Sequence, residues 1–195
     1  MPSKPNRYGI KIWILADCET SYVYNAEIYM GKTGHLPEIG LAQRVVKNLS
    51  RPLHQHGRNI TMDNFFSSIP LAESLLSKRI TVVGTLKSNK PQIPADFQKN
   101  PNRPVNSAAF GFNGHLTLCS YVPKKGKAVI ILSSLRSSHR ISDRSDHKPE
   151  IILEYNATKG AVDTADQMIA AYTVAPDRQD DGRIKFSSIA WTSEA

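Results

Sequence analysis

The sequence predicts an α/β fold, a mixed sheet with flanking helices that is interrupted by a β-rich insertion, and three observations carry that expectation. Two strand-like runs, residues 9–17 (GIKIWILAD) and 58–63 (RNITMD), each close on an aspartate. Helical apolar spacing follows each of them, at residues 38–48 and again at 67–77, so strand and helix alternate along the chain. Between residues 87 and 148 the alternation stops, and Pro91, Pro94, Pro101, Pro104 and Pro123 punctuate short β-prone runs before a helical pattern resumes near residue 160.

Taken in order, residues 9–17 are almost continuously apolar and β-branched, as in a central strand covered on both faces. A second strand is expected at 21–30, close enough for antiparallel pairing, and residues 31–37 read as a turn with room for only a short third strand. Ile39, Ala42 and Val46 give residues 38–48 a helical spacing that Arg51-Pro52 ends. Residues 58–63 form the next strand, and a helix from Ser67 or Ser68 to Ser77 follows. Either serine can cap that helix, and Pro70 is tolerated in its first turn, where its missing N–H would have had no partner. RITVVGTL returns as a strand. In the central segment GHLTLCSYV and KAVIILSS are strand-like, and after it IILEYN reads as a strand. Val162, Ala165, Ile169 and Tyr172 then make a helical stripe over 160–172. Residues beyond Pro176 show no clear periodicity. The expected organisation is a split core of residues 1–87 and 150–175, a basic β-rich insertion at 88–149, and an irregular tail at 176–195.

Charge is unevenly distributed. Residues 87–148 hold 11 basic and 3 acidic side chains while the remainder holds 14 of each, so the whole formal excess of +8 lies in the central segment. A concentrated cationic surface favours an anionic partner such as nucleic acid. Cys18 and Cys119 are too far apart to form a CxxC pair, so the cysteines give neither a zinc site nor a disulfide framework. No apolar stretch approaches the roughly 20 residues that span a bilayer, so no membrane partner is expected.

Four aspartates stand where chemistry can be built. Asp17 and Asp63 each end a strand, and Asp163 and Asp166 lie three apart on one helix, hence on one face near its start. Because 46 residues separate Asp17 from Asp63 and 100 separate Asp63 from Asp163, only tertiary folding can bring them into one cleft. Oxygen-only ligands select hard cations such as Mg²⁺ or Mn²⁺. Two such ions about 4 Å apart serve an in-line phosphoryl displacement. Spacing alone leaves a second explanation open, since aspartates at strand ends and in first helical turns commonly serve turns, caps and the helix dipole.

The residues around those aspartates add a resemblance. NITMDNFFSSIPLAESLL followed by TVVGTLKSNKPQIP resembles the piggyBac transposase family around its second catalytic aspartate, here Asp63. YNATKGAVDTADQM resembles the segment around the third, which puts that role on Asp163 with Asp166 as the neighbouring acidic position. GIKIWILADCETSYVYN resembles the first-aspartate strand, with Asp17 in the catalytic place. The resemblance implies a ribonuclease H-like fold interrupted by a β-rich insertion, and a two-metal site of Asp17, Asp63, Asp163 and Asp166 holding Mg²⁺ or Mn²⁺. It also implies cut-and-paste DNA transposition. In that family water attacks the transposon end, the freed 3′-hydroxyl attacks the opposite strand to form a hairpin, and the element rejoins DNA at TTAA. Nuclear localisation, DNA as partner (transposon ends and target), and a homodimer in the full-length context follow as expectations.

Arg58, Lys87, Lys90, Lys124, Lys125, Lys127 and Lys159 are the candidate phosphate contacts. His54 and His56 lack a further nitrogen or sulfur ligand nearby and are given no role. Phe65 and Phe66 are read as core packing in preference to a base-stacking platform. The family pattern continues on both sides with dimerisation and DNA-binding parts, so the chain reads as a catalytic-core fragment. The alternative function is a truncated or domesticated transposon-derived DNA-binding protein without catalytic activity.

Overall fold

The structure, a computed structural model, describes residues 11–31, 38–171 and 185–192. Strand β1 (Lys11–Asp17) is apolar on both sides because both of its faces are covered. Trp13 and Leu15 enter a core shared with the helices of one face, while Ile14 and Ala16 enter a smaller core on the other. Strand β2 (Val23–Tyr29) returns antiparallel with Lys11 opposite Tyr29, and the register shifts between Leu15 and Ala16. The short third strand expected at 31–37 falls on residues that, but for Gly31, lie outside those described.

Helix α1 (Leu41–Ser50) begins later than the apolar spacing suggests. Gly40 has φ 77, a left-handed conformation that a helix interior cannot contain, and Ile39 is consequently 99% exposed. Val45, Val46 and Leu49 provide the buried stripe instead. The next strand and helix follow expectation. β3 (Arg58–Met62) leads through a turn to α2 (Ile69–Leu76), whose N-cap Ser68 accepts a hydrogen bond from the backbone N–H of Leu71. β4 (Ile80–Leu86) then lies parallel to β3, with Met62 opposite Gly84.

Residues 88–149 carry β5 (Ala108–Asn113), β6 (Leu116–Tyr121) and β7 (Val129–Ser133), an antiparallel meander whose last strand pairs with β4. They extend the central sheet outward. Two sequence expectations need correction. IILEYN is not a strand but opens helix α3 (Glu150–Thr158), because Pro149 pre-sets the entry and only Ile151 and Ile152 need burial. An apolar triplet fits either periodicity. Residues 185–192, read as part of an irregular tail, form β8 (Lys185–Thr192). That strand lies in the middle of the sheet, in the order β2-β1-β8-β3-β4-β7-β6-β5. Helix α4 (Ala161–Ala171) occupies most of the predicted 160–172 span and packs on β1 and β8. The whole is an α/β fold, a mixed eight-stranded sheet with flanking helices, compatible with a ribonuclease H-like architecture.

Strand direction sets where each strand-end aspartate emerges. β8 runs parallel to β1 and antiparallel to β3, so β1 and β3 themselves point in opposite directions.

Candidate active site

Asp63 follows the last residue of β3 and sits in a turn that its own side chain builds. Its Oδ1 accepts hydrogen bonds from the backbone N–H of Phe65 (2.9 Å) and of Phe66 (3.3 Å). Ser67 closes the turn, donating from its backbone N–H (3.1 Å) and from its hydroxyl (2.8 Å) to the Asp63 carbonyl. Gly84 makes room for this on the neighbouring strand. A Cβ there would lie 2.2 Å from the Ser67 Oγ and 2.9 Å from the Met62 carbonyl oxygen. The exposed carboxylate of Asp63 is thus held by a turn that depends on a glycine one strand away.

A small pocket at this place is lined by Thr61, Met62, Asp63, Tyr155, Lys159 and Ala190. Tyr155 and Lys159 are one helical turn apart at the end of α3, with the Lys159 Nζ 5.8 Å from the centroid of the Tyr155 ring. That helix end is tied to β3, where the hydroxyls of Thr61 and Thr158 meet at 2.7 Å. The Tyr155 phenol has a raised pKa. Burial is the main cause, a hydrogen bond with Thr85 opposes it, and the negative charges of Asp63 and Asp163 add to it. Two carboxylates from distant parts of the chain therefore act on the same phenol. Asp163 is exposed in the first turn of α4, where the helix dipole favours a negative charge. Asp166 lies three residues on in α4, and its side chain is outside the described residues. Sequence reasoning missed Tyr155. Its four-residue spacing from Lys159 becomes a signal only when IILEYN is read as helical.

Asp17 lies elsewhere. Through β8 it is level with Ile60, since Asp17 pairs with Trp191 and Trp191 pairs with Ile60. Three residues along the strand and two strand spacings across put its Cα about 14 Å from that of Asp63. Because β1 and β3 are antiparallel, the two aspartates leave the sheet toward opposite ends. Its Oδ2 accepts from both the backbone N–H and the hydroxyl of Thr20 in the β1–β2 turn. Burial works to raise its pKa, but these bonds, with those from the backbone of Glu19 and Cys18, hold the carboxyl below its ordinary value. Asp17 here does the work of a turn residue.

The basic residues divide the same way. β4 is parallel to β3, and Ile130 of β7 lies opposite Leu86, so Lys87, Lys90 and the turn bearing Lys124, Lys125 and Lys127 project at the Asp63 end. Lys124, Lys125 and Lys127 are exposed. The pKa of Lys90 is lowered, first by burial and then by neighbouring Lys87. Arg58 starts β3 and belongs to the Asp17 end, with its guanidinium carbon 5.2 Å from the Trp191 ring centroid.

Asp63 and Asp163 suit a hard divalent cation, which is commonly bound by one or two carboxylates completed by substrate phosphate oxygens. Asp17 is engaged instead with Thr20 in its own turn, while its neighbour Cys18 reaches the Thr158 carbonyl at the end of α3. Among the described residues no cluster of three or more His, Cys, Asp or Glu side chains is arranged to hold a metal ion. No helix among them is long and apolar enough to cross a membrane.

Comparison with known proteins agrees with the fold. The family model described as Transposase IS4 matches residues 1–188. The human PiggyBac transposable element-derived protein 3 is 28% identical over 189 residues, a match covering 87% of this chain and 31% of that protein. The human Chimeric ERCC6-PGBD3 protein is also 28% identical, with 17% of its length covered. Among solved structures, the piggyBac transposase in a cryo-EM synaptic complex with hairpin DNA superposes with a TM-score of 0.80 at 41% identity. That match covers 95% of this chain and 37% of the other. The chain therefore spans less than two fifths of the length of each of these relatives.

Proposed function

Because this chain belongs to the piggyBac transposases, within the Transposase IS4 family, we propose that it is the catalytic-core portion of a DNA transposase that cuts and rejoins DNA strands with divalent metal. The observation that supports the reading is that Asp63 lines one pocket with Tyr155 and Lys159, and that Asp163, 100 residues on, is near enough for its charge to raise the pKa of the same phenol. Mg²⁺ or Mn²⁺ bound there would activate the attacking oxygen and stabilise the leaving one. The chain's own groups do the rest. The N–H groups of Phe65 and Phe66 fix one oxygen of Asp63 and so orient the other, Lys159 offers its ammonium to a phosphate, and Tyr155 supplies a hydroxyl from the same wall. Lys87, Lys90, Lys124, Lys125 and Lys127 would follow the DNA backbone outward along the same end of the sheet. The finer expectations belong to the same proposal: transposon ends and a TTAA target as DNA partners, nuclear action, a homodimer of the full-length protein, and a role for Asp166 beside Asp163.

A second reading has its own observation. Asp17 is held in a turn about 14 Å from Asp63, which favours a transposon-derived DNA-binding protein without catalytic activity. Cleavage of a labelled transposon-end duplex in Mg²⁺ or Mn²⁺, measured in the full-length protein, separates the two. On the first reading Asp63→Asn and Asp163→Asn abolish cleavage and leave duplex affinity within a few-fold of native. Metal-dependent cleavage that survives Asp63→Asn overturns the proposed site; duplex binding with no cleavage by the native protein selects the second reading.

A further inference from the structure

Phe65 is placed unlike its neighbour. Phe66 is 1% exposed and serves the core, whereas Phe65 is 40% exposed directly beside Asp63. The Phe65 ring is nevertheless rigidly held. It lies parallel to the buried indole of Trp13, with centroids 5.5 Å apart and an interplanar angle of 13°, and Phe66 meets it edge-on at 5.0 Å. Its backbone N–H is one of the two that fix the Asp63 carboxylate, so ring and carboxylate share one turn. Beside the rings stands a cation, Lys11, whose Nζ is 3.9 Å from the Trp13 centroid and 5.5 Å from that of Phe65.

A fixed aromatic ring, part of it in water, with an ammonium group alongside is the chemistry that takes a nucleobase together with its phosphate. We infer that Phe65 is a stacking platform for an unpaired base of the DNA strand whose phosphate lies at Asp63. The inference rests on the proposed strand cleavage and adds a ligand subsite to it. Stacking one base on Phe65 fixes the rotation of the strand next to the carboxylate. A duplex base must first leave its own stack, so frayed or single-stranded ends are preferred.

The test uses a duplex ending in a short single-stranded extension that carries 2-aminopurine, whose fluorescence is quenched when the base stacks. Native protein quenches the probe and binds the extended duplex more tightly than a blunt one. Phe65→Leu keeps an apolar cover over Trp13 but removes the ring. It loses the quenching and weakens binding to the extended duplex roughly 5- to 150-fold, with blunt-duplex affinity unchanged. Phe65→Tyr restores both, and the melting temperatures of the variants confirm that each is folded. Equal quenching and affinity in native and Phe65→Leu protein overturn the inference alone. Failure of native protein to bind either duplex overturns the DNA reading beneath it as well.

Discussion

Gly84→Ala is the smallest change that reaches the turn holding Asp63. The added methyl would stand 2.2 Å from the Ser67 hydroxyl, 2.9 Å from the Met62 carbonyl oxygen and 3.3 Å from the Ser67 Cβ. Two of these neighbours cannot swing aside. The Met62 carbonyl belongs to β3, directly across the ladder from Gly84, and Ser67 is fully buried with its hydroxyl committed to the Asp63 carbonyl. Relief requires β3 or the turn to move by several tenths of an ångström. Overpacking of this kind costs about 1–3 kcal/mol. For a chain of this size that lowers the melting temperature by about 2–12 °C, taking 2–4 °C per kcal/mol. A calorimetric or circular-dichroism melt of the variant measures it. The double variant Gly84→Ala/Ser67→Ala removes the 2.2 Å contact but not the carbonyl one, so it should be more stable than the sum of the two single changes predicts. An unchanged melting temperature in Gly84→Ala, or strict additivity in the double variant, would refute the close packing of Gly84 against Ser67.

Two further predictions concern the rest of the framework. Trp13→Ala removes a 1% exposed indole that contacts Tyr29, Phe65 and Phe66 at once, so urea denaturation should show a loss of about 3–5 kcal/mol; a loss below about 1 kcal/mol would mean that the three rings do not pack on the indole. The folded-state pKa of Asp17 is depressed, so the stability it contributes is fully present above its unfolded value of about 3.9 and is lost as pH falls through the lower folded value. The gap in melting temperature between native protein and Asp17→Ala should therefore be constant at neutral pH and narrow below about pH 4, and a gap that persists unchanged at pH 3 would sink the assignment of that carboxylate to the Thr20 turn.

The site is asymmetric in what supports it. Asp63 is fixed by two N–H groups, by the Ser67 closure and by Gly84, whereas Asp163 depends on the position of α4, which packs through Ala161 and Val162 onto Ile14, Ala16 and Ala190. Substitutions in β8 therefore act on Asp163 through the helix resting on it. They act on Asp17 as well, because β8 is the strand that stands between Asp17 and Asp63.

Local chemistry was legible in the sequence wherever a signal is carried by adjacent residues. The apolar run of β1, the Ser68 cap with Pro70 behind it, the strands of the central segment and the aspartate following β3 all depend on periodicity or capping within a few positions, and all are found in the structure. The start of α1 and the identity of α3 were less legible, because a positive-φ glycine and a proline-led apolar triplet satisfy two local patterns at once. Strand partnership was legible only for the neighbouring pair β1 and β2, whose short connection predicts their antiparallel pairing. KFSSIAWT alternates small and polar residues with single apolar ones and carries no strong strand signal, yet backbone bonds to β1 and β3 place it at the centre of the sheet. The sequence by itself determined that β1 and β3 each lead into an aspartate and which carboxylates are available. Only the tertiary structure decided that Asp63 lines a pocket with Tyr155 and Lys159 while Asp17 ends a strand running the other way, because strand order and direction are set by hydrogen bonds between segments that no local pattern records.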